Sequence, residues 1–313
     1  MALDLQIQSL LRNSSGWAPA RSVPVDQLRA AVIHFAAITP RLDVPLADIF
    51  DRTIPGPGGD LQIRIYTPEG VGPHPILVYF HGGGWVVGNL DTQDMICRGL
   101  AYGAGCVVVS VDYRLAPEHK FPAAVDDSCA ATLWAQAHAG EFGGDVARIA
   151  VGGDSAGAVL AGAVALRARA VSGLALRGQL LFYGSMNYPS TPVPSMIEFA
   201  DGPILTADDV DYFWSQYLGD PDVDQHNPDA SPIRAADHSG LPPAFIATAE
   251  MDPTRDAAEA YGPALAKAGV PVVVKRYPGM PHGFMSWLGM IDVAQTAADD
   301  ACAWLRQQFD ASL

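Results

Sequence analysis

The chain has 313 residues, 49% hydrophobic and 17% charged, which describes one globular unit with a large core and excludes a disordered chain. Its net charge is −15, from 19 basic and 34 acidic residues with no basic cluster, which excludes nucleic acid and anionic membrane surfaces as expected partners. No run of about 18 apolar residues is present to span a membrane, and the cysteines (Cys97, Cys106, Cys129, Cys302) form neither a C-x-x-C pair nor a zinc-spaced cluster with histidine.

Residues 1–15 lack a basic segment followed by an apolar run, so they do not read as a secretory signal. With thiols that read as buried and reduced, the expected location is cytoplasmic. The segment 1–45 reads as amphipathic helix punctuated by Pro19, Pro24 and Pro40, with Leu28, Val32, Phe35 and Ala36 at helical spacing. Residues 61–66 alternate apolar and polar, and the turn Gly56–Asp60 pairs them with 47–54 as a hairpin.

Short continuous apolar runs follow at 76–80, 107–111, 149–151, 180–183, 244–248 and 272–274, the pattern of strands buried on both faces. Helical patterns at 94–102, 123–139, 158–170, 255–268 and 292–308 separate most of them. Alternating strand and helix predicts an α/β fold with a largely parallel sheet.

Residues 186–237 interrupt the alternation. They are rich in Pro and Asp and hold one clear helix, begun by a capping-box-like Thr206-Ala207-Asp208-Asp209 and carrying Tyr212, Phe213, Trp214 and Tyr217. The insertion reads either as a helix packed on the core or as a lid. Its position after the strand end at Tyr183-Gly184, where α/β proteins bind ligands, favours the lid.

The chemistry concentrates at Gly153-Asp154-Ser155-Ala156-Gly157, between an apolar run and an Ala-rich helix. This is the G-x-S-x-G pattern of a nucleophile elbow, whose sharp turn needs side-chain-free neighbours at Gly153 and Gly157. Alone it is weak. Glycine supplies 31 of 313 residues, so a stray match arises in roughly one such chain in ten. It gains weight from three partners.

The first is His81-Gly82-Gly83-Gly84-Trp85, after the strand 76–80. Its bare amides suit an oxyanion hole made by Gly83, Gly84 and Ala156, with His81 as an anchor of the loop rather than a base. The second is His282, which alone among eight histidines takes the last place in the order Ser, Asp, His. Its Pro/Gly-rich loop reads as rigid and surface-lying. An ordinary imidazole, with a pKa of about 6.5, can take and return a proton near neutral pH. The third is an acid after the strand 244–248. Asp252 sits just beyond it, before a proline expected to open the next helix; Glu250 is the alternative, and Asp256 falls inside the helix.

With these residues in hand, the chain resembles the hormone-sensitive-lipase-like carboxylesterases (bacterial family IV, GDSAG subgroup, α/β-hydrolase fold) from about Asp51 to the C-terminus. The signatures are the two glycine motifs, Asp112-Tyr113-Arg114-Leu115-Ala116-Pro117-Glu118 with Phe121-Pro122-Ala123-Ala124, Asp252-Pro253, and His282-Gly283-Phe284. The family often has Leu after Asp-Pro; here Thr254 stands there, which bears on helix packing beside the acid. The segment 113–118 reads as scaffold beneath the site.

The resemblance implies a sheet of about eight strands flanked by helices. It also implies a cap from residues 1–45 and 186–237 over a catalytic core of 46–185 and 238–313. It implies hydrolysis of short- to medium-chain acyl esters by Ser155, His282 and Asp252, with no metal or cofactor. Trp85, Val87, Leu205, Phe213, Trp214 and Met285 are candidate pocket residues, each equally readable as core. The rival readings are an amidase or deacetylase on the same three residues, and a non-catalytic small-molecule receptor. Strand 272–277, if last in the sheet, offers an edge for a homodimer.

Overall fold

The continuous apolar runs become strands that divide their side chains between two cores. In the computed structural model, which describes residues 2–12 and 18–311, Ile76, Val78 and Phe80 face one core and Leu77 and Tyr79 the other. Val107, Val109 and Val111 face the first core and Val108 the second. Successive side chains of a strand point to opposite faces, so an unbroken apolar run is what a doubly covered sheet requires.

Among the described residues, eight strands form one sheet: β1 Leu46–Gly56, β2 Gly59–Pro68, β3 His74–Phe80, β4 Val107–Asp112, β5 Gly144–Asp154, β6 Leu176–Phe182, β7 Ala244–Met251 and β8 Val272–Pro281. Their order is β1-β2-β4-β3-β5-β6-β7-β8. The β1–β2 hairpin and the β2–β4 pair are antiparallel, and every later pairing is parallel. The fold is therefore the expected α/β sheet, and β8 is an edge.

The helices follow the expected alternation. They are α1 Leu5–Arg12, α2 Val25–Ile38, α3 Asp94–Ala104, α4 Ala123–His138, α5 Ala156–Ala168, α6 Pro194–Glu198, α7 Ala207–Tyr217, α8 Pro221–Asp224, α9 Arg255–Glu259, α10 Tyr261–Lys267 and α11 Asp292–Asp310. Residues of α4, α5 and α10 join the first core; those of α3 and α11 join the second. Residues 13–17, inside the expected N-terminal helical segment, and part of the 1–15 stretch read for a signal, lie outside the described residues.

Three expectations need correction. The helix expected over 255–268 is two helices, because Pro263 has no amide to give the Glu259 carbonyl. The first of the two starts at Arg255 with Thr254 as its N-cap, so Pro253 lies in the preceding turn and does not open the helix. The loop expected before His282 is strand: β8 runs on to Pro281, which pairs with Met251 across an irregularity. The carboxylate of Glu250 accepts the Gly279 amide at 2.9 Å and draws this stretch inward, so His282 is buried rather than surface-lying.

The insertion carries the expected helix α7 with a complete capping box, in which Thr206 accepts from the Asp209 amide at 3.0 Å and Asp209 accepts from the Thr206 amide at 3.1 Å. Two short helices, α6 and α8, flank it and were not legible as helices. Trp214 and Tyr217 of α7 pack on Trp85, and Tyr217 stacks on it at 4.1 Å between centroids.

Candidate active site

Parallel strands end on the same side of a sheet, so β3, β5, β6, β7 and β8 deliver their C-terminal residues to one crevice. These are His81, Ser155, Tyr183, Asp252 and His282. Ser155 bridges β5 and α5 with φ 52° and ψ −119°, a strained conformation for a residue with a side chain. Its amide donates to the Phe182 carbonyl at 2.8 Å. The turn is tight enough that a Cβ on Gly157 would lie 1.9 Å from the Phe80 carbonyl oxygen.

The strained turn aims the hydroxyl at the imidazole. Ser155 Oγ lies 2.8 Å from His282 Nε2, and His282 Nδ1 lies 2.7 Å from Asp252 Oδ2. Asp252 has no exposed surface, and the Thr254 amide and hydroxyl both donate to its Oδ1 at 2.8 Å. Tyr183 meets the His282 ring edge-on at 5.0 Å and limits its tilt. Glu250, the alternative acid, is occupied by Gly279 instead. Asp256 accepts the Ser195 amide at 2.8 Å, which ties α6 to the acid loop.

The glycine loop is clamped from both ends of Gly82. Its amide donates to Asp154 Oδ1 at 3.0 Å, and its carbonyl accepts from His81 Nδ1 at 2.7 Å. The C=O and N–H of a trans peptide point in opposite directions, so holding the Gly82 carbonyl turns the Gly83 N–H the other way. The Gly82 clamp thus fixes a candidate oxyanion donor. His81 is fully buried and stacked on Tyr113, and burial pushes its imidazole down to about 4, so it stays neutral. It anchors the loop, as expected. The Tyr113 hydroxyl in turn donates to the His81 carbonyl at 2.7 Å.

Gly83, Gly84, Ala156, Ser155 and His282 all line one cavity of about 230 Å³. Among the described residues, the amides of Gly83 and Gly84 have no protein acceptor. Ala156 opens α5, where the first amides have no partner within the helix. Of the expected pocket residues, Trp85, Val87, Leu205, Phe213 and Trp214 line the cavity. Met285 does not. It sits on the short helical turn Phe284–Trp287 and is fully buried in the second core with Tyr277, Met280 and Phe284.

Sequence reasoning missed other wall residues: Val32 and Phe35 of α2, Tyr183, Ile204, Val210 and Trp287. The helical spacing of Val32 and Phe35 marked an apolar face but not what it covers. The scaffold segment was also underread. Arg29 of α2 donates to both Glu118 oxygens, at 2.9 and 2.7 Å, and to the carbonyls of Val86 and Ala116 at 2.8 and 2.9 Å. Glu118, beside that guanidinium, is held down at about 2.

A family model described as the alpha/beta hydrolase fold matches residues 77–286. The chain belongs to that family, in its hormone-sensitive-lipase-like branch. It is 44% identical over 267 residues to Esterase LipI of Mycobacterium tuberculosis, covering 84% of this chain and 82% of LipI. It is 43% identical over 277 residues to Carboxylesterase NlhH of the same organism, covering 87% and 86%. Among solved structures, it is similar to a hyperthermophilic esterase from Pyrobaculum calidifontis, with TM-score 0.89, 38% identity and coverage of 98% and 99%. A thermostable esterase from Pseudomonas putida is similar with TM-score 0.93 at 34% identity, covering 99% of each chain. No described helix is long and apolar enough to cross a membrane.

Proposed function

We propose that the protein is a carboxylesterase that hydrolyses short- to medium-chain acyl esters through an acyl-enzyme on Ser155. Ester hydrolysis itself rests on family membership and on the esterase relatives. The residue roles rest on one observation: the unbroken hydrogen-bonded line Ser155–His282–Asp252 opening into a cavity.

Ser155 Oγ attacks the ester carbonyl carbon while neutral His282 Nε2 takes its proton. The carbonyl π pair moves onto oxygen, where the amides of Gly83, Gly84 and Ala156 meet it. Collapse expels the alcohol, which receives the proton from His282. Water then attacks the acyl-enzyme by the same route and frees the acid. Asp252 holds the imidazole tautomer that keeps Nε2 free to accept.

Residues 1–45 and 186–237 serve as a cap on this reading. Arg21 reaches Asp208 and Asp211 of α7, and the Ala20 amide donates to Asp209 at 2.8 Å. The edge strand β8 exposes Val273 and Val274 and supports pairing with a second copy across a two-fold axis. Sedimentation at micromolar concentration tests that part. Among the described residues all four cysteines are free, which supports a reducing, cytoplasmic location, testable by fractionation.

The catalytic reading is tested by labelling with a fluorophosphonate and mapping the adduct by mass spectrometry. The adduct belongs on Ser155. Labelling elsewhere, or none in an active preparation, contradicts the assignment.

A further inference from the structure

The two oxygens of Asp252 have separate duties. Oδ2 accepts from His282 Nδ1 at 2.7 Å, whereas Oδ1 accepts from the Thr254 amide and the Thr254 hydroxyl, each at 2.8 Å. The hydroxyl oxygen also lies 3.5 Å from His282 Nδ1. Thr254 is 5% exposed and lines the cavity. The side chain that departs from the resembled family's leucine therefore touches the acid of the site and borders the imidazole.

We infer that Thr254 is a positioning residue for ester hydrolysis, whose hydroxyl fixes the rotation of the Asp252 carboxylate so that Oδ2 stays on His282 while the imidazole takes and returns the proton. This rests on the acyl-enzyme reading above. The terminal torsion of an aspartate is soft and roughly two-fold, so nothing within Asp252 itself keeps Oδ2 aimed at Nδ1. Two donors on Oδ1 fix the carboxylate plane, and hydrogen bonds to an ionised acceptor are among the stronger ones. The backbone amide would be available to any non-proline residue at this position; the hydroxyl is specific to Thr or Ser.

Without the hydroxyl, Oδ1 of the fully buried Asp252 keeps only the Thr254 amide as a donor. The carboxylate is then free to turn, and the Nδ1 bond lengthens. The imidazole loses its alignment on Ser155 Oγ, and proton transfer depends steeply on such alignment. The hydroxyl oxygen at 3.5 Å is too distant to displace Asp252 as the Nδ1 partner.

The test compares Thr254→Val, Thr254→Ala and Thr254→Ser by kcat and KM on p-nitrophenyl butyrate. It adds the downfield proton NMR signal of the imidazole Nδ1–H. Val and Ala are expected to lower kcat about tenfold with KM within about twofold, and to shift or broaden the downfield signal. Ser is expected to recover most of the loss and the wild-type signal. Wild-type kcat with an unmoved signal in Val or Ala overturns the inference. So does a rise in KM alone, which would make Thr254 only a wall of the cavity, or a Ser variant as impaired as Val. If Thr254→Val does not fold, the Ala and Ser pair decides the same question. Residual turnover by Ser155→Ala distinguishes the cases: if that variant stays active, the parent reading fails; if it is inert and Thr254→Val is normal, only this inference fails.

Discussion

The carboxylate of Asp154, at the end of β5, accepts the amide of Gly82 at 3.0 Å and so joins the strand that carries the serine to the loop that carries the candidate oxyanion donors. The Tyr79 hydroxyl donates to the same oxygen at 3.0 Å. Burial raises Asp154 to about 6, against an ordinary value of 3.8, and these two donors only partly offset it. The native state thus holds this proton more tightly than the unfolded chain. Its contribution to stability falls as pH rises from about 4 to about 6. Asp154→Asn is expected to raise Tm by a few degrees at pH 8, where the wild-type group is a buried charge, and by much less at pH 4.5, where it is neutral. Thermal melts at the two pH values check this; equal gains at both would contradict it.

Arg29 binds the N-terminal helix to the loop beside the glycines through four hydrogen bonds, two of them to backbone carbonyls. Arg29→Met is expected to raise KM severalfold for butyrate esters with a smaller change in kcat, because Val32 and Phe35 lose their fixed place in the wall. Steady-state kinetics read this directly. Salt screens the ion pair with half-exposed Glu118 but leaves the carbonyl bonds, so 1 M salt should not reproduce the variant.

Two glycines predict different failures. A Cβ on Gly157 meets backbone, the Phe80 carbonyl at 1.9 Å, which cannot step aside. Gly157→Ala is expected to misfold or to lose activity and stability together. A Cβ on Gly84 meets the Phe213 ring at 2.3 Å, where φ is +58°. Gly84→Ala is expected to fold, with activity reduced by one or two orders of magnitude through the displaced oxyanion loop. Melting curves alongside kcat separate the two outcomes.

The core of this fold was legible because strands covered on both faces leave unbroken apolar runs, and every such run became a strand. The serine, the histidine and the acid were legible because turn chemistry and chain order mark them. What stayed hidden lies in contacts between distant segments. No local pattern announces that Arg29 reaches Glu118, or that Glu250 pulls Gly279 into an extended β8 and buries His282. Met285 was misread because an apolar residue three positions past the histidine can face either the cavity or the core, and only the short helical turn decides. Thr254 was read as a packing change beside the acid; its effect is a hydrogen bond to the acid itself.

The most direct test of the account is the turnover of p-nitrophenyl butyrate by Ser155→Ala, measured on protein shown to be folded by its melting curve. The account predicts a loss of several orders of magnitude in kcat, because the remaining amides and cavity cannot replace the attacking oxygen. Turnover within about tenfold of wild type would show that Ser155 is not the nucleophile.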